Sequence, residues 1–534
     1  MPHVRPTRRP ALADAYRRAG LWRPESVWDA FAATAARLGD RAMVIEGATR
    51  LGFDEVARRA GAVAGGLAAL GVSPGDAVAV QLPNWHETVV TLLAVARLGA
   101  VAVPILPIQR ERELAFILQR TNARVAVVPG RYRDCDHRAL LARLRAALPA
   151  LDTVIVVRDD ALPGMRAFDD VNAPAPDALR DSADTIALVM FTSGTTAEPK
   201  GVLHSHQTLL AEVHSLAAVH GIDADDTVLM PSPLTHVSGL VHAVLVPATL
   251  GSRAVLMPRW DPGEALRLIA AERVTYMVGA PTFLCDLAHH PDLARADVSS
   301  FRLFSCGGAD VDPALVAEAA RRLGCVAKRV YGSTEFPTIT TTGPDDPPAR
   351  RVDSDGRPIG AAELRLVDDD GAAVGPGREG EILARGPDCC LGYLDATLTA
   401  EAFTADGWFR TGDLGTVDAA GYLRITGRKK DIIIRKGENI SAREVEDLVA
   451  THPAVAEVAV VGLPDAAAGE IACAALRLRP GAPVPALDDL TRHLLAHGLS
   501  KRKLPERLVV VADFPRTASG KVSKRALRER LAGR

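Results

Sequence analysis

The sequence predicts an α/β protein with a large layered N-terminal domain and a small, mobile α+β C-terminal domain. Between about residues 40 and 160, short β-rich runs alternate with runs of helical length, as in βαβ units that build a parallel sheet. The alternation resumes after residue 185. After about residue 360 the runs are short and separated by turn residues, which predicts a β-rich subdomain within the large domain.

The C-terminal part of the chain is predicted to form its own compact unit. Ser441 followed by Glu444 is a capping box that opens a helix, and strand-like and helical runs alternate from there onward. A basic run at residues 427–431 precedes this unit. We therefore predict a large domain over residues 1–427, a hinge at residues 428–430 and a small domain over residues 431–534.

Composition limits the classes of partner and compartment. The chain of 534 residues carries 63 Lys and Arg against 65 Asp and Glu, so its net charge of −2 argues against a nucleic-acid partner. We find no apolar run of membrane length and no secretory signal, and the seven cysteines form no CxxC pair. These features predict a cytoplasmic protein with reduced thiols and no integral membrane segment. The sequence is also compatible with a homo-oligomer.

The stretch FTSGTTAEPKG at residues 191–201 follows a strand-like run and concentrates groups that bind anions. It holds two glycines, four hydroxyl side chains and Lys200, which can all turn toward one polyphosphate. A P-loop is excluded because Lys200 follows Pro199, precedes Gly201 and has no Ser or Thr after it. A solvated turn is the alternative reading.

This stretch resembles the glycine-threonine loop of the adenylate-forming superfamily, which includes acyl- and aryl-CoA ligases, peptide-synthetase adenylation domains and beetle luciferases. The chain departs from the usual loop at Ala197, where glycine is common. Four further motifs follow in the order of that family: YGSTE at 331–335, WFRTGD at 408–413, GRKKD at 427–431 and PRTASGK at 515–521. The sequences of these motifs most resemble those of bacterial short- and medium-chain acyl-CoA ligases and cyclohexanecarboxylate-CoA ligases.

The resemblance implies an AMP-forming acid–thiol ligase of fatty acid metabolism. Such an enzyme converts a carboxylic acid and ATP into acyl-AMP and pyrophosphate, then transfers the acyl group to the thiol of CoA, with Mg²⁺ as cofactor. Two alternatives remain. One is an acyl-AMP ligase that loads the phosphopantetheine of a carrier protein, and the other is a non-catalytic nucleotide- or acyl-adenylate-binding protein.

The resemblance also implies which residues form the nucleotide site. Tyr331 would stack on adenine, Thr334 would contact the α-phosphate, and Asp413 would accept both ribose hydroxyls. The catalytic set would be Lys521, Glu335, Thr192 and His236, with Glu335 also holding the metal. The nucleotide-binding set would be Thr192, Ser193, Gly194, Thr195, Thr196, Lys200, Gly307, Gly308, Ala309, Tyr331, Gly332, Ser333, Thr334, Asp413, Arg428 and Lys521.

The remaining implied positions concern the acid and the thiol. The acyl pocket would be formed by His236, Val237, Gly239, Gly307 and Phe336. The hinge and the CoA side would involve Lys430, Lys436, Gly437 and Glu438. We expect an apolar acid, because no carboxylate marks a site for an α-amine. His204 and His206 are interpreted as the polar start of a helix, because no other metal ligands cluster with them.

Overall fold

The computed structural model describes residues 10–174, 183–192, 199–308, 311–435, 438–465, 469–497, 499, 501–517 and 520–532. The α-helices of these residues are, in chain order, α1 (Pro10–Arg18), α2 (Val27–Leu38), α3 (Phe53–Ala69), α4 (His86–Arg97), α5 (Glu111–Thr121), α6 (His137–Leu144), α7 (His206–His220), α8 (Val237–Leu240), α9 (Val246–Leu250), α10 (Pro262–Glu272), α11 (Pro281–Ala288), α12 (Pro313–Leu323), α13 (Pro348–Asp353), α14 (Ala396–Ala402), α15 (Ala442–Ala450), α16 (Leu487–Ala496) and α17 (Lys524–Ala532).

The strands of the described residues are β1 (Ala42–Glu46), β2 (Thr49–Gly52), β3 (Ala77–Val80), β4 (Val101–Pro104), β5 (Val125–Pro129), β6 (Arg131–Tyr132), β7 (Cys135–Asp136), β8 (Thr153–Val157), β9 (Arg166–Ala167), β10 (Ile186–Thr192), β11 (Lys200–Ser205), β12 (Thr227–Met230), β13 (Arg253–Leu256), β14 (Tyr276–Gly279), β15 (Leu303–Gly307), β16 (Val326–Tyr331), β17 (Thr340–Thr341), β18 (Arg357–Pro358), β19 (Glu363–Val367), β20 (Gly380–Arg385), β21 (Gly392–Tyr393), β22 (Phe409–Val417), β23 (Leu423–Arg428), β24 (Ile432–Arg435), β25 (Glu438–Ser441), β26 (Val455–Asp465), β27 (Gly469–Leu478) and β28 (Arg507–Val510).

Short helical turns complete the described secondary structure. Five 3₁₀ turns and one π-helical turn are described, at Arg145–Ala147, Phe168–Asp170, Pro291–Arg295, Lys429–Asp431, Lys501–Lys503 and, for the π turn, Val241–Leu245. No helix of the described residues is long and apolar enough to cross a membrane.

The chain divides into two compact units, the first of residues 1–363 with 385–409 and the second of residues 364–384 with 410–534. The first unit contains two large sheets. One has the order β18-β17-β16-β15-β14-β12-β13-β1-β2 and the other the order β21-β11-β10-β4-β3-β5-β8-β9. Their central strands pair in parallel. The predicted α/β class with parallel sheets is therefore confirmed.

The two faces of each sheet bury side chains in different layers. In β1, Val44 packs into the cluster that contains helices α2, α3 and α4, whereas the adjacent Ile45 packs with helices α10, α11 and α12. In β3, Val78 joins that same central cluster, whereas Ala79 packs with helices α5 and α6. Side chains alternate between the faces of a strand. The first unit is thus built as five layers, with helices outside and between the two sheets.

The second unit holds two smaller sheets. The first is antiparallel between β22 and β23 and has the order β19-β20-β22-β23. The second has the order β25-β24-β27-β26, with β28 added in parallel to β27. Helices α15 and α16 cover one face of this second sheet and α17 covers the other. This arrangement confirms an α+β C-terminal part, and the hinge at residues 428–430 stays a prediction.

Candidate functional site

The carboxyl ends of two neighbouring parallel strands bring predicted nucleotide residues together. Strand β15 ends at Gly307 and pairs with β16, which ends at Tyr331. A Cβ added at Gly307 would lie 2.5 Å from the carbonyl oxygen of Val330, so only glycine allows this close pairing. Gly308 has φ +77°, the left-handed region that favours glycine. Open α/β sheets bind ligands at this edge.

The turn after β16 is tight because its backbone folds back on itself. A Cβ at Gly332 would lie 1.9 Å from the carbonyl oxygen of Pro337. The Ser333 N–H donates to the Phe336 carbonyl oxygen at 2.9 Å, and the Ile339 N–H donates to the Tyr331 carbonyl oxygen at 2.8 Å. The turn therefore holds the positions of the YGSTE motif rigidly at the end of the strand.

Glu335 is held by β21 and by the loop that precedes this strand. The Tyr393 hydroxyl donates to Glu335 Oε1 at 2.8 Å, and the Cys390 N–H donates to the Glu335 carbonyl oxygen at 2.7 Å. Burial of the ring, with the charge of Glu335, raises the pKa of Tyr393 far above its ordinary value. The phenol therefore stays protonated and continues to donate to the carboxylate.

Lys200 links the first motif to this pair. It begins β11, faces Thr192 across the β10–β11 ladder, and its Nζ lies 5.0 Å from the centre of the Tyr393 ring. Such a distance allows a cation–π interaction. Thr192, Lys200 and Glu335 thus lie on connected segments of one unit. Of the loop residues between the two strands, Ser193, Gly194, Thr195 and Thr196 lie outside the described residues, as does Ala309.

His204 is a functional-site neighbour that the sequence reading missed. Its Nε2 donates to the carbonyl oxygen of Thr334 at 2.8 Å, and its Nδ1 lies 3.0 Å from the Thr208 hydroxyl. Complete burial lowers the pKa of His204 to about 4, so the ring is neutral. The predicted helix does start at His206, the first residue of α7, but His204 lies in strand β11 and both rings are buried. Strand alternation places His204 on the same face of β11 as Lys200, and this signal could have found it.

His236 forms the N-cap of α8, after the end of β12. Its Nδ1 lies 3.0 Å from the Ser238 hydroxyl and accepts from the Ser238 N–H at 3.4 Å. A Cβ at Gly239 would lie 2.1 Å from the Pro233 carbonyl oxygen, so the helix starts close against the preceding loop. Val237 is buried, and Phe336 is fully buried at 0% exposure. The predicted acid-pocket residues are therefore mostly interior side chains.

Asn84 fixes the loop that leads to His236, and sequence reasoning did not single it out. The buried amide donates to the carbonyl oxygens of Met230 and Ser232 at 3.0 and 2.9 Å. Its Oδ1 accepts from the Leu234 N–H at 2.8 Å. A buried side chain with this many partners rigidifies the segment it bonds.

An apolar cavity begins one helical turn beyond the His236 cap. It has a volume of about 30 Å³ and adjoins the π-helical turn Val241–Leu245, a helix type often found at functional sites. Its lining is apolar except for His206. The lining residues are Val27, Leu92, Leu93, Ala96, Ala102, Ala187, Leu188, His206, Leu209, Leu240, Val244 and Leu245.

In the second unit, Asp413 and Arg428 face each other on β22 and β23. Arg428 Nε lies 2.8 Å from Asp413 Oδ1, and the Asp413 N–H donates to the Thr411 hydroxyl at 3.1 Å. Gly412 has φ +72°, which allows the turn of chain just before the carboxylate. The second unit thus pairs two of the predicted nucleotide residues directly.

Lys521 lies in a short hairpin of the second unit. The Thr517 N–H donates to the Lys521 carbonyl oxygen at 2.7 Å, and Gly520 has φ +84° at the tip. The side chain of Lys521 is exposed. Of the predicted hinge and CoA-side residues, Lys436 and Gly437, and the side chains of Lys430 and Glu438, lie outside the described residues.

This chain is similar to known proteins in its family, its sequence and its structure. The family model for AMP-binding enzymes matches residues 31–394, and the model for the AMP-binding enzyme C-terminal domain matches residues 444–521. The medium-chain fatty-acid–CoA ligase of Escherichia coli strain K12 is 37% identical over 528 residues, which cover 97% of this chain and 93% of that protein.

The chain is also similar to a ligase of an aromatic acid and to a solved structure that contains ATP. The 2,3-dihydroxybenzoate-AMP ligase of Bacillus subtilis strain 168 is 34% identical over 530 residues, which cover 98% of this chain and 96% of that protein. The structure of ATP-bound MatB from Rhodopseudomonas palustris superposes with a TM-score of 0.86 at 29% identity, covering 95% of this chain and 99% of that chain.

Proposed function

Because this chain belongs to the family of AMP-binding enzymes and is an AMP-forming acid–thiol ligase, we propose that it acts on an apolar carboxylic acid and uses CoA as the acyl acceptor. In this reaction the acid and ATP give acyl-AMP and pyrophosphate, and the CoA thiol then displaces AMP.

One arrangement within the first unit carries this proposal. Lys200 lies over the Tyr393 ring, and the hydroxyl of the same ring bonds Glu335. A cation and a carboxylate from two motifs far apart in the chain are therefore coupled through one aromatic side chain. A cation held close to a carboxylate suits a site where the cation binds a phosphate chain and the carboxylate binds the metal ion that accompanies it.

The first step requires charge to be offset at the α-phosphorus. A carboxylate is a poor electrophile, so one of its oxygens must first become part of a good leaving group. When the acid attacks the α-phosphorus, two anions approach each other and pyrophosphate leaves. We assign Lys200 and the Thr192 hydroxyl to the phosphates, and Lys521 to the charge that develops between the acid and the α-phosphate.

Glu335 fits a Mg²⁺ ion that accompanies ATP. Its carboxylate offers the hard oxygen ligand that this ion prefers, and the Tyr393 hydroxyl fixes one of the two oxygens. One protein carboxylate is sufficient when phosphate oxygens and waters supply the other ligands. When bound, the ion would neutralise charge on the phosphates and orient them.

Asp413 is assigned to the ribose hydroxyls. A carboxylate has about four acceptor positions, so Asp413 can keep its bond to Arg428 while it accepts from two hydroxyls. Arg428 then offsets the charge of this carboxylate. We assign Tyr331, whose side chain is 7% exposed at the end of β16, to the adenine ring.

The apolar character of the acid is supported by the neighbourhood of His236. Of the five residues assigned to the acid pocket, Val237 and Phe336 are buried apolar side chains, and none of the five is a carboxylate that could bind an α-amine. Adding or removing one methylene changes binding in an apolar pocket by only about 1–3 kcal/mol, so we name the class of acid and no chain length.

The second part of the proposal concerns the thiol that accepts the acyl group. We assign Lys430 to the hinge and residues 436–438 to the thiol side, as the family resemblance implies. A carrier-protein phosphopantetheine is the alternative acceptor, since it presents the same thiol. Each acceptor thiol attacks the acyl-adenylate carbonyl and releases AMP.

The test measures the two steps separately. ATP–pyrophosphate exchange is assayed with linear, alicyclic, aromatic and amino acids, and CoA consumption is then followed with the best acid. We expect exchange with an apolar acid and stoichiometric CoA use. Exchange without CoA use would indicate that a carrier protein is the acyl acceptor. MgATP binding without exchange for any acid would indicate a non-catalytic nucleotide-binding protein.

A further inference from the structure

Two carboxyl groups of the first unit meet in its interior behind the candidate site. Glu212, in the middle of α7, is 1% exposed, and Asp388, in the loop before β21, is 0% exposed. The two groups lie within hydrogen-bond reach of each other. The Thr338 hydroxyl donates to Glu212 Oε1 at 2.7 Å. Neither residue is among those assigned to nucleotide or acid binding.

The contact between these carboxyl groups requires a proton. Within the described part of the chain, no N–H or O–H group of another residue outside the pair donates to Glu212 Oε2 or to either Asp388 oxygen. A hydrogen bond between two carboxyl groups needs at least one of them to be a neutral acid, because a carboxylate only accepts. Two buried charges of the same sign would repel each other in a medium of low dielectric constant.

The pair joins three segments that hold Glu335. Asp388 lies two residues before Cys390, whose N–H bonds the Glu335 backbone, and five before Tyr393, whose hydroxyl bonds its carboxylate. Thr338 follows Glu335 by three residues. Helix α7, which carries Glu212, directly follows the strand of His204, and His204 bonds the Thr334 carbonyl.

We propose that Glu212 and Asp388 share a proton and act as positioning residues for Glu335. The hydrogen-bonded pair, which carries one shared proton, holds the loop of Cys390 and Tyr393 against the turn of the YGSTE motif. This inference rests on the proposed function, in which Glu335 binds the metal of MgATP. Loss of the pair releases the loop and lets Glu335 move away from the metal position.

Burial and the neighbouring ionisable groups favour retention of the shared proton near pH 7. Burial, reinforced by the partner acid, raises the pKa of Glu212 well above its ordinary value, and burial raises the pKa of Asp388 in the same direction. The Tyr16 phenol, which interacts with Asp388, has its own pKa raised, first by burial. Burial likewise raises the pKa of the nearby Cys390 thiol. Both neighbours therefore stay uncharged while the pair gives up its proton as the pH rises.

The experiment compares variants that remove the pair with variants that keep its shape. Asp388→Ala should raise KM for MgATP about tenfold while kcat changes less than about threefold, and added Mg²⁺ should restore much of the loss. The double variant Glu212→Gln with Asp388→Asn should stay within about threefold of the parent at pH 7, because the N–H of one amide can donate to the oxygen of the other and so replace the contact made by the shared proton.

A pH profile separates this role from simple packing. Between pH 7 and pH 9, KM for MgATP of the parent should rise about fivefold more than that of the double amide variant, which has no proton to lose. Glu46→Gln is the control: it removes a carboxylate that bonds His86 and Arg158, and it should follow the parent profile.

The results test the role of the Glu212–Asp388 pair separately from the proposed ligase function. The inference is overturned if the double amide variant keeps the alkaline rise of the parent, or if folded Asp388→Ala has the Mg²⁺ dependence of the parent. Calorimetric titration with MgATP gives the same comparison without turnover. If no acid supports pyrophosphate exchange, the proposed function fails, while MgATP affinity still tests the pair.

Discussion

The Tyr393 hydroxyl donates a 2.8 Å hydrogen bond to Glu335, across 58 residues of sequence. The ring of Tyr393 also lies under the Lys200 ammonium. One side chain therefore sets the position of both a cation and an acid that are assigned to the phosphates. The strength of this coupling can be measured by removing a single oxygen atom.

Tyr393→Phe should raise KM for MgATP by about tenfold to a hundredfold, because a hydrogen bond to a charged group contributes about 1.5–3 kcal/mol. The ring itself remains under Lys200. Initial rates at varied MgATP measure the effect. Tyr132→Phe is the matched control, since it removes a hydroxyl that donates to the Pro258 carbonyl oxygen and should leave KM unchanged. Equal KM values for the parent and Tyr393→Phe would contradict the role given to this bond.

Buried neutral His204 should make the protein less stable as the pH falls. Below pH 6.5 the unfolded chain takes up a proton on this residue, whereas burial lowers the pKa of the folded ring to about 4. The folded state therefore binds fewer protons over this interval, and the free energy of unfolding decreases with falling pH.

His204→Gln should reduce this slope by up to about 1.4 kcal/mol per pH unit, because the amide does not titrate. Glutamine also keeps a donor for the Thr334 carbonyl. Urea unfolding at a series of pH values between 4 and 7 gives the slope. His204→Leu serves for comparison, since it removes both the titration and the hydrogen bond. A slope identical to that of the parent in both variants would show that His204 takes up its proton in the folded protein.

Asp413→Asn should raise KM for ATP by about tenfold or more, because charge-assisted hydrogen bonds are about twice as strong as neutral ones. The loss should be smaller with 2′-deoxy-ATP and 3′-deoxy-ATP, which lack one of the hydroxyls that Asp413 is assigned to bind. Asp369→Asn, in the same unit, removes an exposed acid that pairs with Lys429 and serves as the control. An unchanged preference for ATP over the deoxy nucleotides would exclude Asp413 from the ribose.

Lys521→Ala should slow adenylation by about 10² to 10³, the typical effect of losing one group that stabilises a developing negative charge. Transfer from a supplied acyl-adenylate to CoA should survive better, since that step needs no such cation. Single-turnover assays of each half-reaction measure the two effects, with Lys501→Ala as an exposed control. Equal losses in both half-reactions would contradict the role of Lys521 in the first step alone.

Local patterns in the sequence were sufficient for the architecture and the family. Strand-length apolar runs alternating with helical runs can bury both faces only as stacked sheets and helices, so the α/β class follows from periodicity. The ordered motifs likewise identified an AMP-forming ligase, because glycine, hydroxyl, acid and cation positions with fixed spacing carry their chemistry in the sequence itself.

What surrounds those motifs was decided by the tertiary structure. The sequence does not show that Tyr393 bonds Glu335, that His204 supports Thr334, or that Glu212 meets Asp388, because each contact joins segments more than 50 residues apart. Burial also changes the role of a residue. Histidine is a polar residue type, yet His204 lies buried in strand β11, where its neutral ring donates to a backbone carbonyl oxygen. Charge state and partner depend on solvent access and on neighbours in space, and both are fixed only when the layers pack together.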